Sequence, residues 1–203
     1  STLFPYTTLF RSASHKKGAI GTIGNVFGGG NLATVDGSAT VNIGTEETVK
    51  LTSIVDDPNT TDVDESLPTV EGANITGNVY GGGNLANVTG NTQVNICAEE
   101  VTSGTTTTWQ SVTPGTAGVT IGSAGVNDKD HGHVFGGGKG VANNFKCDAA
   151  MVGTEDEGMV AGYLYGNTSV TIGNGTIYGN IYGGGEVGRV EMNTTVKIGI
   201  GTV

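Results

Sequence analysis

Two short patterns of apolar and polar positions recur along the chain. The first alternates: Val-x-Ile occurs as Val41/Ile43, Val94/Ile96, Val170/Ile172 and Val196/Ile198, with Asn42, Asn95, Thr171 and Lys197 between the apolar pairs. A period of two puts each pair on one face of a strand and the intervening residue on the other, so the polar residues should meet water. The second pattern joins an aliphatic residue to an aromatic one: Val26-Phe27, Val79-Tyr80, Val134-Phe135 and Ile181-Tyr182. The aliphatic residues should point one way and the rings the other, and stacked segments would carry the rings as a ladder. Each such pair runs into a glycine triplet: Gly28-Gly29-Gly30, Gly81-Gly82-Gly83, Gly136-Gly137-Gly138 and Gly183-Gly184-Gly185. Glycine tolerates positive φ and close backbone approach, so each triplet is expected to turn a corner between strands.

The spacing of the two patterns marks a structural unit. Eleven residues separate Gly30 from Val41, Gly83 from Val94 and Gly185 from Val196, whereas 32 separate Gly138 from Val170. The third copy therefore carries an insertion, after which the run from Leu164 realigns with the run from Val88. The shortest full period is the 26 residues from Val170 to Val196. Register that survives long insertions is the behaviour of stacked repeats, whose extra residues leave at the corners. Burying one Val or Ile is worth about 1.5–3 kcal/mol, while ordering each residue costs about 1–2 kcal/mol. One repeat alone cannot offset that cost, and an array can.

The expected fold is therefore all-β: a parallel β-helix, or β-solenoid, of about four repeats. Its loops are expected at 45–72, 98–118 and 139–162. Four to six layers at about 4.8 Å each would span roughly 20–30 Å and leave unpaired strands at both ends. A longer parent protein is the expectation that follows.

Composition narrows the class further. Of 203 residues 37 are glycine and 4 proline, yet no G-x-y period runs through the chain, which excludes collagen. Charged residues make up 14%, against a charge-rich disordered segment. The net charge of −10 repels phosphate backbones, so no nucleic-acid partner is expected; it suits cations, basic partners or solubility. No apolar run approaches the roughly 20 residues needed to span a bilayer, so no membrane insertion is expected of this segment. Cys97 and Cys147 are too few for a disulfide framework and lack zinc-site spacing. They read as two small buried thiols or as a single bridge.

Residues 1–12, STLFPYTTLFRS, share nothing with the repeats. All twelve match one reading frame of a common short-read sequencing adapter, and the segment is set aside from fold reasoning as non-native. That origin points to a gene assembled from metagenomic, environmental sequence.

The stretches GNVFGGGNLATVDGSATVNIG from Gly24 and GNVYGGGNLANVTGNTQVNIC from Gly77 resemble the glycine-rich repeats of large adhesin-like surface proteins of gut Bacteroidetes. The resemblance covers most of 18–203 outside the loops. It implies an extracellular or cell-surface stalk, with neighbouring repeats of a full-length protein as first partners and a host or glycan ligand as a further one. It transfers no catalytic residue. His133 stands where Asn25, Asn78 and Asn180 stand in the other copies, and Lys139 where the first two carry Asn31 and Asn84, so an asparagine ladder is expected to break there. The calcium-binding repeat G-G-x-G-x-D does not fit, because Leu32, Leu85, Val141 and Val187 follow the triplets and no aspartate recurs in register.

Three local clusters could carry chemistry. Asp128, Asp130, His131 and His133 offer carboxylate and imidazole ligands for a divalent cation, or a carboxylate pair for acid–base work; the competing reading is a solvated turn. The acidic run from Asp56 to Glu65 offers oxygen ligands for Ca2+, against a plain acidic loop. Trp109, beside a threonine run, offers a sugar-stacking platform or a packed loop aromatic. No cofactor and no catalytic residue is assigned. The leading functional expectation is a structural or adhesive module that does not catalyse. The alternative is a carbohydrate-binding or carbohydrate-active parallel β-helix, the lyases and hydrolases of which need clustered carboxylates with Arg or Lys on adjacent layers.

Overall fold

The computed structural model describes residues 22–44, 72–112, 118–125, 130–141 and 161–200. All regular structure among them is β. The strands are β1 Thr22–Ile23, β2 Val26–Phe27, β3 Ala39–Ile43, β4 Gly72–Ile75, β5 Val79–Tyr80, β6 Thr92–Ile96, β7 Ala98–Ser103, β8 Thr106–Ser111, β9 Gly118–Ile121, β10 Val134–Phe135, β11 Thr168–Ile172, β12 Thr176–Ile177, β13 Ile181–Tyr182 and β14 Thr194–Ile198.

Twelve of these strands form three four-stranded sheets, ordered β1-β4-β9-β12, β2-β5-β10-β13 and β3-β6-β11-β14. Every neighbouring pair within them is parallel. Among the described residues these strands come in four successive sets of three, each set a winding that adds one strand to each sheet. Short strands of this kind cannot stand alone, and parallel pairing demands a crossover, which the other two strands of the winding supply. The layers are stacked parallel sheets, compatible with a β-helix.

The Val-x-Ile strands pair in the expected register: Val41 beside Val94, Val94 beside Val170, and Val170 beside Val196. In the first three of these strands the apolar residues line the interior. Val41, Ile43, Ile75, Val79, Val94, Ile96, Val119, Ile121, Val134, Val170 and Ile172 form one buried cluster. A smaller cluster of Ala39, Val88 and Leu164 fills the corner beyond the glycine triplets. There Val35, Val88, Leu164 and Val190 make single parallel bridges, so the realignment of the 164 segment with the 88 segment holds.

The aromatic ladder also forms. Successive rings of Phe27, Tyr80, Phe135 and Tyr182 stack at 4.7, 5.0 and 5.0 Å, with planes within 10° of parallel.

Several expectations need correction. The β1-β4-β9-β12 sheet was not foreseen, because strands of two to four residues carry too few positions to show a period. The loop expected at 98–118 is mostly an antiparallel hairpin, with Ala98 opposite Ser111 and Ser103 opposite Thr106. Gly72 and Gly118 open strands rather than closing loops. Of the loop expected at 139–162, Lys139 and Gly140 still hydrogen-bond to the preceding winding through Gly83 O and Asn84 O. Residues 1–12, Asp56 to Glu65, Asp128 and Cys147 lie outside the described residues.

Of the two glycine properties expected at the triplets, the structure uses one. None of their glycines has positive φ. They serve close approach: a Cβ on Gly81 would sit 2.3 Å from Gly136 O, and one on Gly82 would sit 2.7 Å from Gly138 N. Glycine is required there because backbone meets backbone between layers, with no room for a methyl.

Candidate functional site

The polar residues of each winding are built into ladders that run along the stack. The first starts at Asn25, whose Oδ1 accepts from the backbone N–H of Asn78 at 2.7 Å. Asn78 Oδ1 accepts from His133 N–H at 2.8 Å, and His133 Nδ1 accepts from Asn180 N–H at 2.8 Å. The expected break at His133 does not occur. An imidazole Nδ1 reaches the same point as an asparagine Oδ1, so the ladder continues with a different acceptor. His133 is buried, and its ring tilts against Phe135 and Tyr182 at 5.9 and 6.1 Å.

That placement also bears on the Asp-His cluster. With Nδ1 accepting a backbone N–H, His133 cannot offer that nitrogen to a metal. Asp130 and His131 are exposed, and the backbone carbonyl of Asp130 accepts from Asn78 Nδ2 at 2.8 Å. Among the described residues no group of three His, Cys, Asp or Glu side chains comes together as a metal site.

A second ladder joins Ser38, Asn91, Asn167 and Asn193. Ser38 Oγ accepts from Asn91 N–H, Asn91 Oδ1 from Asn167 N–H, and Asn167 Oδ1 from Asn193 N–H, at 3.0, 2.8 and 3.2 Å. A third lies inside. The buried Thr92 hydroxyl donates to Gly136 O of the next winding at 2.6 Å, and Thr168 donates to Gly183 O in the same way. The signal for both was present in the sequence as the Asn-Thr pair before each later Val-x-Ile strand; its meaning depends on what lies one layer away.

The outer face of the Val-x-Ile sheet was expected to be wet throughout. Asn42 and Lys197 are exposed, but Asn95 and Thr171 are buried. Asn95 Nδ2 donates to Asn42 Oδ1 at 2.8 Å, whereas Thr171 Oγ1 has no hydrogen-bond partner among the described residues. The β7–β8 hairpin springs from the end of β6 in this sheet. It leaves the stack at Cys97 and returns at Val112, whose N–H donates to Cys97 O at 2.9 Å; Ser111 Oγ donates to Gly173 O at 2.9 Å. Trp109 on β8 lies half-buried, its ring centroid 5.8 Å from Lys197 Nζ on the last winding. The indole thus carries a cation of its own chain beside its ring.

Cys97 sits at the hinge of this hairpin with φ +46, where Gly44 and Gly199 take φ +62 and +71 in their own windings. It is a free, fully buried thiol, and burial pushes its pKa up to about 11. Such a thiol is a packing group and a poor nucleophile. Tyr80 is equally buried; its phenol donates to the Glu186 carboxylate and accepts from Asn78 Nδ2 at 3.0 Å. Burial first, and then the Glu186 hydrogen bond, push its pKa above the ordinary value.

One exposed aromatic group escaped the sequence reading. Tyr163 and Tyr165 meet at 4.5 Å in a tilted pair, Arg189 lies 5.7 Å above the Tyr163 ring, and the Tyr163 hydroxyl donates to Glu191 at 3.2 Å. Tyr165 is 44% exposed. Comparison with protein-family models, curated proteins and solved structures finds no match to this chain.

Proposed function

We propose that this chain is a β-solenoid of four GGG-to-Val-x-Ile repeats, and that it serves as a structural or adhesive module of a large bacterial surface or secreted protein. One observation carries the reading: the polar side chains that recur in the windings bond from one layer to the next. Asn78, His133, Thr92, Thr168, Asn91 and Asn167 all do so. Groups engaged in this way hold the layers together and are not convergent on a substrate. A carbohydrate-active β-helix needs carboxylates and basic residues from adjacent layers. Among the described residues the single arginine, Arg189, shares the last winding with Glu186 and Glu191, and Lys139 is the one basic residue of the layer before. Incubating the purified chain with polyuronates and neutral glycans should release no new reducing ends or unsaturated sugars, while the chain should adhere to mucin-coated surfaces. Sugar release would sink the reading.

A second reading, a glycan-binding module, is favoured by the Tyr163/Tyr165 pair with Arg189 and Glu191 beside it. Aromatic faces next to charged donors and acceptors suit a sugar ring. On that reading Tyr165→Ala abolishes retention on immobilised glycan while leaving the thermal midpoint in place.

A further inference from the structure

The glycines of the last winding are fitted to a neighbour that the described residues do not contain. In the first three windings the middle glycine of each triplet faces the next layer. A Cβ on Gly29, Gly82 or Gly137 would lie 2.6, 2.7 or 2.8 Å from the backbone nitrogen of Gly83, Gly138 or Gly185. A Cβ on Gly184 would meet nothing within 4 Å. The first glycine repeats the pattern: Gly28, Gly81 and Gly136 each face the carbonyl of the next triplet at 2.4, 2.3 and 2.3 Å, but Gly183 faces only side chains of its own winding, Thr194 foremost. The apolar interior is open on the same side. Val196 and Ile198 are 40% and 65% exposed, against 6% and 8% for Val41 and Ile43 in the first winding.

We infer that the open face of β12, β13 and β14 is a docking surface for one further winding of the same type, carried by a neighbouring repeat unit and added in parallel. The surface continues an interface already made three times in this chain, and it is directional. Each triplet approaches the triplet that follows it, and each inner threonine donates forward to that triplet's first carbonyl. The occupant must therefore present a glycine triplet over Gly183 and Gly184 and a Val-x-Ile strand beside β14. A second copy of this chain does not offer its first winding for the purpose, because Val41 and Ile43 are already covered. The inference rests on the solenoid reading proposed above.

The test inserts a duplicate of residues 174–199 after Gly199, which keeps the 26-residue period. The expected result is a thermal midpoint higher by roughly 5–10 °C. Amide exchange at Val196 and Ile198 should slow by on the order of 100-fold. Gly184→Ala should leave the original chain unharmed and cancel most of the gain in the extended one. An unchanged midpoint and unchanged exchange overturn the inference, as does a gain that Gly184→Ala leaves intact. So does a concentration-dependent dimer of the original chain that protects Val196 and Ile198, since the occupant would then be a second copy. The outcome separates from that of the solenoid reading itself: Gly82→Ala tests the existing layers in the unextended chain, and only the extension tests the fifth.

Discussion

Replacing a single glycine by alanine at equivalent places in two triplets tests whether layer-to-layer backbone approach holds this protein together. At Gly82 the new methyl would lie 2.7 Å from Gly138 N, 2.9 Å from Gly138 Cα and 3.0 Å from Gly137 C, all backbone atoms. Ordinary contact begins at 3.4 Å, so the layers must separate by several tenths of an ångström at that point. The Gly82 N–H to Gly137 O hydrogen bond, already 3.1 Å, would lengthen with them. Overpacking costs about 1–3 kcal/mol, and a weakened hydrogen bond adds up to about 1 kcal/mol. Against this, alanine restricts the unfolded chain and returns about 0.4–1 kcal/mol. The net expectation is a loss of about 2–3 kcal/mol for Gly82→Ala. At Gly184 the methyl meets nothing, φ is not positive, and only the gain of about 0.4–1 kcal/mol remains. The two variants should differ by about 3 kcal/mol, or roughly 6–12 °C in thermal midpoint for a chain of this size. Circular dichroism melts of both variants and the parent, repeated with urea, measure the difference. Equal midpoints for the two variants would refute the close-approach explanation of the triplets.

Three further outcomes follow from the ladders and the buried groups. His133→Asn should leave stability within about 0.5 kcal/mol of the parent, because Oδ1 replaces Nδ1 as acceptor, while His133→Ala should cost about 1–3 kcal/mol by leaving the Asn180 N–H unmatched; urea midpoints compare them. Thr171→Val removes a buried hydroxyl that bonds to nothing described and keeps the shape, so it should stabilise by about 1–2 kcal/mol in the same assay. Alkali should destabilise the fold in a defined window. Folding keeps the Cys97 thiol protonated and raises its pKa from 9.0 to about 11, so its contribution is whole below pH 9 and lost as pH rises to 11, about 3 kcal/mol in all. Tyr80 acts in the same direction above pH 10. Urea titrations from pH 8 to 11 should show a smaller loss in Cys97→Ala; an identical loss would remove the thiol from the account.

Parts of this architecture were legible along the chain and parts were not, and the division has a physical cause. Alternation in Val-x-Ile is local, since neighbouring side chains on a strand must point to opposite faces whatever lies around them. Fixed spacing from triplet to strand then carried the register, and with it the stacking of Phe27, Tyr80, Phe135 and Tyr182. The sequence by itself therefore determined the β class, the register of the Val-x-Ile strands and, in the first three of them, the interior residues. Only the tertiary structure decided what depends on the layer above or below. Gly82 is needed for the sake of Gly138, 56 positions away, and not for its own φ. His133 continues an asparagine ladder because its Nδ1 happens to fall over the next backbone N–H. Asn95 and Thr171 alternate like surface residues but are buried, and their alternation carries no sign of it. Burial, acceptor geometry and close approach are properties of pairs of residues distant in sequence, and a one-dimensional pattern records only one member of each pair.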